Sequence, residues 1–164
     1  MSDSLFIALR AFILSLIPSI EVIQGLGNNV PMPAGQFVSL TAGGQRRLRT
    51  NQDTYDSVTE TRSAEMGTEY RIQIDCYGPD SSDQSTKICT MFQDMYACDF
   101  LLPYGCQPLS AGDPVQSALI NGEENYEQRW MFAAMLQFNP ITTVSQEFAD
   151  ILYVNMANAD TPTP

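Results

Sequence analysis

From Thr68 to Gly78 the chain reads TEYRIQIDCYG, and polarity alternates at every step. Tyr70, Ile72, Ile74 and Cys76 share one parity, while Glu69, Arg71, Gln73 and Asp75 share the other. A period of two puts these sets on opposite sides of a strand, one side buried and the other wet. Gly78-Pro79-Asp80 ends the strand, since proline cannot continue a hydrogen-bond ladder and glycine permits the turn. Asn125–Phe138, NYEQRWMFAAMLQF, is the matching antiparallel partner: Tyr126, Gln128, Trp130, Phe132, Ala134, Leu136 and Phe138 fall on one side. With Glu69–Tyr77 and Asn125–Phe138 adjacent and central, the chain is committed to a sheet with one covered face. The only tryptophan is expected in that core.

Two segments can do the covering. Ser4–Ile17, capped by Asp3 or Ser4, carries an inward stripe of Leu5, Leu9, Phe12, Ile13 and Leu16. Phe6, Ile7 and Leu14 make its other sides apolar as well, which suits either more core or a neighbouring subunit. Its apolar run is too short to cross a bilayer, Arg10 interrupts it and Pro18 ends it. Met-Ser-Asp-Ser is not the basic start of a signal peptide. Ser82–Phe100 is the second helix, with Ile88, Met91, Phe92, Met95 and Tyr96 at helical spacing. Ile20–Gln24 and Phe37–Thr41 read as further strands around a Gly-, Asn- and Pro-rich loop, and Pro103–Pro114 as a connector. Val115–Ile120 is a short strand, handed on by Asn121-Gly122, a strong hairpin-turn signal. Ile141–Asn155 is a last strand or a short helix. The expected fold is therefore α/β of the α+β kind: an antiparallel or mixed central sheet with two main helices on one face. Residues 1–155 form one domain, and 156–164 a flexible tail.

Gly43–Gly67, GGQRRLRTNQDTYDSVTETRSAEMG, departs from this pattern. Leu48, Tyr55, Val58 and Met66 are its only sizeable apolar residues, and it reads as two polar strands turning near Asp53–Asp56. A two-stranded ribbon this polar is marginal in water. Either it is a mobile loop, or a partner completes it. Arg46, Arg47, Arg49 and Arg62 supply half of the chain's eight bases, so they and Tyr55 are the candidate subunit-interface residues. The alternatives are a solvated arm and an arm pairing with carboxylates of the next subunit.

The 164 residues carry 19 acids, 8 bases and no histidine, a net charge of −11. Phosphate binding needs clustered Lys and Arg, so clamping onto nucleic acid or anionic lipid is disfavoured. Without histidine, the commonest general base and metal ligand is missing, and no Cys–His nucleophile can form. Asp53 with Asp56, and Glu123 with Glu124, are turn acids beside nothing that would tune them. Cys76, Cys89, Cys98 and Cys106 match no zinc or redox spacing and read as reduced, mostly buried thiols. No phosphate loop, dinucleotide fingerprint or calcium loop occurs. Catalytic, cofactor and metal sites are all expected to be absent, and the chain's work to be shape and association.

Four runs, VPMPAGQFVSLT, GQRRLRTNQDTYD, TEYRIQIDCYGPDS and DPVQSALINGEENYEQRW, resemble in order the tail-terminator-like neck proteins of tailed bacteriophages. The similarity extends from about Leu5 to about Tyr153. It implies a structural virion protein, not an enzyme, assembled in the host bacterial cytoplasm as a homohexameric ring. Such a ring ends the tail tube and offers a joining surface to the filled head. The implied partners are other copies of the chain, the tail tube protein and a head-completion or adaptor protein, with no membrane. Genomic DNA would pass through an acidic lumen without specific binding. Another neck ring component, or an acidic DNA-mimicking inhibitor, stands as the alternative.

Overall fold

The computed structural model describes residues 3–25, 33–117, 119–120 and 126–147. The Asn121-Gly122 turn and the tail from 156 onward lie outside the described residues. Helix α1 (Asp3–Leu16) leads into β1 (Glu21–Gln24), and β2 (Phe37–Arg47), β3 (Gln52–Asp56), β4 (Thr61–Glu65) and β5 (Thr68–Tyr77) follow. Helices α2 (Ser81–Phe92) and α3 (Met95–Leu101) and a single 3-10 turn (Leu102–Tyr104) precede β6 (Cys106–Ala111) and β7 (Val115–Gln116). Then come β8 (Leu119–Ile120), β9 (Tyr126–Glu127), β10 (Arg129–Phe138) and β11 (Ile141–Ser145).

The main sheet runs β1-β2-β5-β10-β6, with β7 also on β10. Only β1 and β2 are parallel, so the sheet is mixed. The two alternating strands are adjacent and central, with Trp130 opposite Cys76 and Leu136 opposite Tyr70. That register aligns the apolar parities: Ile72, Ile74, Cys76, Phe132, Ala134 and Leu136 all join the core. A slip of one residue would turn each of them to the other face, which is why burial fixes the register so firmly. Trp130 itself is only half-buried, because it lies at the start of β10, beyond the core cluster.

Leu5, Ala8, Leu9, Phe12 and Ile13 of α1 pack on this face together with Ile88, Cys89 and Phe92 of α2. Phe12 is the keystone of the helical layer. Its ring meets Phe92 and Phe100 edge-on, with centroids 6.1 and 5.8 Å away, and Tyr96 at 6.1 Å. Lys87 of α2 donates to the Leu16 carbonyl at 2.7 Å, placing a cation at the negative end of α1. Phe6 and Leu14 pack against the core edge, whereas Ile7 is exposed.

The helix expected over Ser82–Phe100 is two helices. Asp94 adopts an extended conformation and its side chain accepts a hydrogen bond from the Tyr96 amide. Aspartate competes well as a cap and poorly as a helix interior, so the Met91–Tyr96 stripe bends instead of running on. Three strand bounds also differ. β2 continues to Arg47, through a bulge at Ala42/Gly44 where Gly44 has φ of +144°. The connector contains β6, and the Val115–Ile120 strand is two short pieces in different sheets. No helix among the described residues is long and apolar enough to cross a membrane, which says nothing of a β-barrel.

Candidate functional site

The polar arm is an extension of the sheet's own centre. β2, β5 and β10 each bend near one level of the sheet, and beyond the bend lie β3, β4 and β11, which pair in the order β11-β4-β3. The registers are continuous: Ile141, Glu65 and Gln52 form one row, and Val144, Arg62 and Tyr55 another. A third strand from the same chain thus supplies what a two-stranded ribbon lacks. The sequence left only a mobile loop or a partner because Ile141–Ser145 is remote from the arm in the chain. The turn also falls later than expected, after Asp56. Asp56 accepts from the amides of Val58 (2.9 Å) and Thr59 (3.4 Å) and from the Thr59 hydroxyl (2.8 Å). The Thr59 hydroxyl first, and the Val58 amide next, hold the Asp56 carboxyl below its ordinary value.

The bend has its own fastening. Leu48 N–H donates to the Gly67 carbonyl (2.9 Å) and Met66 N–H to the Pro140 carbonyl (3.0 Å). Glu65 Oε1 accepts from Asn139 Nδ2 (3.0 Å) and from Arg49 Nη2 (2.6 Å). A Cβ at Gly67 would stand 2.7 Å from Arg49 Cγ, so a larger residue here would have to displace the Arg49 side chain from its place at the bend.

Of the four arginines, three are ion-paired inside the chain. Arg46 pairs with Glu69 (3.0 Å), Arg49 with Glu65 (2.6 Å) and Arg62 with Asp53 (2.8 Å). Arg62 also lies over the Tyr55 ring, 5.8 Å from its centroid. The Asp53 hydrogen bond, then its charge, raises the Arg62 pKa above the ordinary arginine value. Among the described residues Arg47 forms no ion pair; it donates to Asn51 Oδ1 (3.1 Å) and to the Met66 sulfur (3.6 Å). The arm therefore brings Arg62, Asp53 and Tyr55 together, keeps Arg46 and Arg49 at its root, and leaves Arg47 the most available cation. Exposed pairs of this kind are screened by solvent and worth little, so they set register more than stability.

A second polar cluster went unnoticed in the sequence. On the face of the main sheet opposite the helices, Asp75 is almost fully buried and accepts from Arg129 Nε (3.0 Å) and Nη2 (2.8 Å). Gln73 Nε2 adds bonds of 2.9 and 3.1 Å to the two carboxylate oxygens. Arg129 then lies 5.7 Å from the centroid of Tyr77, which stacks on Phe37 at 4.3 Å. Burial works against the Arg129 charge, but the Asp75 hydrogen bonds and charge outweigh it, so its pKa stands above the ordinary value. Asp75 and Arg129 are diagonal neighbours across β5 and β10, a signal readable once the register is known.

Among the described residues no cluster of His, Cys, Asp or Glu could hold a metal. A cavity of about 270 Å³ beside β10 is lined by Arg71, Gln73, Asp113, Val115 and Met131 among others. The four thiols are free. Burial pushes Cys76 up to about 12, with the Asp75 charge adding to it, and pushes Cys106 up to about 11, which leaves both inert.

Comparison with known proteins agrees with a structural role. No curated protein sequence matches this chain. One similar solved structure is the sheath/tube terminator of PVC, an extracellular contractile injection system, in the extended state. It is 8% identical with a TM-score of 0.47, over 99% of this chain. This chain spans 65% of the length of that terminator. Another is a chain of a native gene transfer agent virion, 14% identical with a TM-score of 0.31, over 80% of this chain and 90% of that one. The family model for phage neck terminator proteins matches residues 3–162. The chain belongs to the phage neck terminator protein family.

Proposed function

We propose that this neck terminator acts as a closed ring, most simply of six copies, that ends the tail tube and presents a surface to the head-completion or adaptor protein. The observation that carries the reading is the family match over residues 3–162. Closed rings arise from head-to-tail contacts that repeat. The ring assembles in the host cytoplasm before joining the virion. Six copies at −11 each surround the lumen with negative charge, which keeps DNA moving through instead of adhering.

The arm is the part we assign to subunit contact, with Arg47 the arginine left to reach a neighbour's carboxylate, and Arg46, Arg49, Arg62 and Tyr55 shaping the surface around it. Purified full-length chain should form rings in negative-stain images, and the rings should sit on the ends of isolated tail tubes. Arg47→Glu should leave the fold intact and weaken ring formation or tube binding. Tubes left uncapped by wild-type protein would overturn the terminator reading, and rings that join heads but ignore tubes would move the chain to an adaptor position.

A further inference from the structure

We propose that the outer edge of β11, Ile141–Ser145, receives an extended strand from a second copy of this chain. The inference rests on the ring reading above and says where one copy grips the next. Among the described residues β11 pairs only with β4, so one side of its backbone is open. Exposed edges invite pairing, and proteins guard them with lysine, proline, bulges or a covering element. Among the described residues β11 has none of these guards. Its sequence, ITTVS, holds no charge and no proline; its register with β4 is unbroken, and all five residues are exposed. The other two arm strands do carry charges, Asp53 and Asp56 on β3 and Arg62 and Glu65 on β4.

Composition sharpens the point. Ile141, Thr142, Thr143 and Val144 are β-branched, the residues that favour a pleated and half-covered surface. Yet Ile141 is 63% exposed and Val144 52% exposed. Side chains that gain little within one chain gain from a strand laid beside them.

Charge decides the occupant. Each copy carries −11, so two copies repel over most of their surface. From Gln137 to Gln146 there is no Asp, Glu, Lys or Arg, so this edge is a place where like-charged copies can approach. A basic partner would instead be met by an acidic edge. The neighbour's arm also carries exposed apolar residues of its own, Leu48 and Val58, to set against Ile141 and Val144. Because the edge meets a different element of the next copy, the contact is head-to-tail and can repeat around a ring.

The test uses full-length chain and two readouts, mass photometry over a range of concentrations and hydrogen exchange of the 141–145 amides. Ile141→Lys/Val144→Lys places the natural edge guard at two exposed positions. The expected result is a wild-type oligomer whose 141–145 amides slow on assembly. The double variant should keep wild-type circular dichroism and associate about tenfold or more weakly. Met95→Lys/Leu102→Lys, at exposed positions of α3 and the turn after it, away from the arm, controls for two added charges. If the double variant misfolds, exchange in the wild-type oligomer decides alone. An oligomer whose 141–145 amides exchange as fast as in the monomer overturns the edge contact and leaves the ring standing. Wild-type chain that stays monomeric, with 141–145 slowed only by added tail tubes, overturns the second copy as occupant. Wild-type chain that is monomeric both free and on tubes overturns the ring reading as well.

Discussion

Arg129→Met isolates the contribution of the one nearly buried charge pair described in the main sheet. The Asp75 side chain is 4% exposed and that of Arg129 22% exposed, so little solvent remains to screen them. The substitution keeps an unbranched stem of similar reach while removing two donors, at 3.0 and 2.8 Å, from Asp75 Oδ1. Gln73 remains, but its neutral amide cannot offset a whole charge. Removing one member of a buried pair costs about 3–5 kcal/mol, because the other is left charged and dry. For a chain of this size each kcal/mol moves the melting temperature by about 2–4 °C, so a fall of roughly 6–20 °C is expected. Urea denaturation followed by circular dichroism measures the loss directly. Asp75→Asn/Arg129→Met, which removes both charges, should recover part of it, since replacing a buried pair is often nearly neutral. A single variant within about 0.5 kcal/mol of wild type would show that water reaches the pair and refute the reasoning. A double variant as costly as the two single changes summed would show that the groups act independently.

Three further outcomes can be checked with the same protein. Phe12→Ala should cost about 3–5 kcal/mol by urea titration, since its ring is fully buried among three other aromatic rings, and Trp130→Ala should cost clearly less because Trp130 is half-buried. Folding holds protons on Cys76 and Cys106, pushed up to about 12 and 11, that the unfolded chain gives up near its ordinary thiol value. The thiol contribution to stability should therefore be flat below about pH 8 and fall as pH rises from about 9 towards 11, by up to roughly 1.4 kcal/mol per unit for each thiol; a urea midpoint that rises over about pH 9 to 11 would contradict it. Asn139→Ala removes the Glu65 contact at the bend, and amides of β3 and β4 should exchange faster while those of β5 stay slow; equal acceleration in both would mean that arm and sheet open as one unit.

The parts legible in the sequence are those where one physical signal dominates. Alternation in Thr68–Gly78 and in the Arg129–Phe138 part of the Asn125–Phe138 run fixes two strands and their shared buried face, although Tyr126–Glu127 pairs in another sheet, and the Leu5–Phe12–Ile13 stripe fixes the first helix. Where two signals compete, the reading slips. Met91, Phe92, Met95 and Tyr96 keep helical spacing across Asp94, so periodicity hides a break that the side-chain cap enforces. Ile141–Ser145 looks like an isolated β-branched run until its partner is known, and that partner lies at 61–65, more than seventy residues earlier. The arginines stand out in the sequence as a cluster, but the acids that meet three of them lie in or beside the arm itself. Local composition cannot reveal such pairings. Asp75 and Arg129 needed a register, which follows from burial only after both strands are matched.

That the arm's third strand comes from a part of the chain remote from the other two has a consequence for synthesis. β3 and β4 leave the ribosome early and can close their turn, but as a polar two-stranded ribbon they hold together only marginally. β5 likewise waits for β10, whose pairing with it spans Arg129 to Tyr77 in the register. The arm is complete only when Ile141–Ser145 emerges, so its third strand is among the last described pieces to be placed. A nascent chain thus lacks the finished arm until the sheet beneath it is made. The protein's own chain order acts as a timer, delaying any contact that needs the complete arm until the domain carrying it can stand.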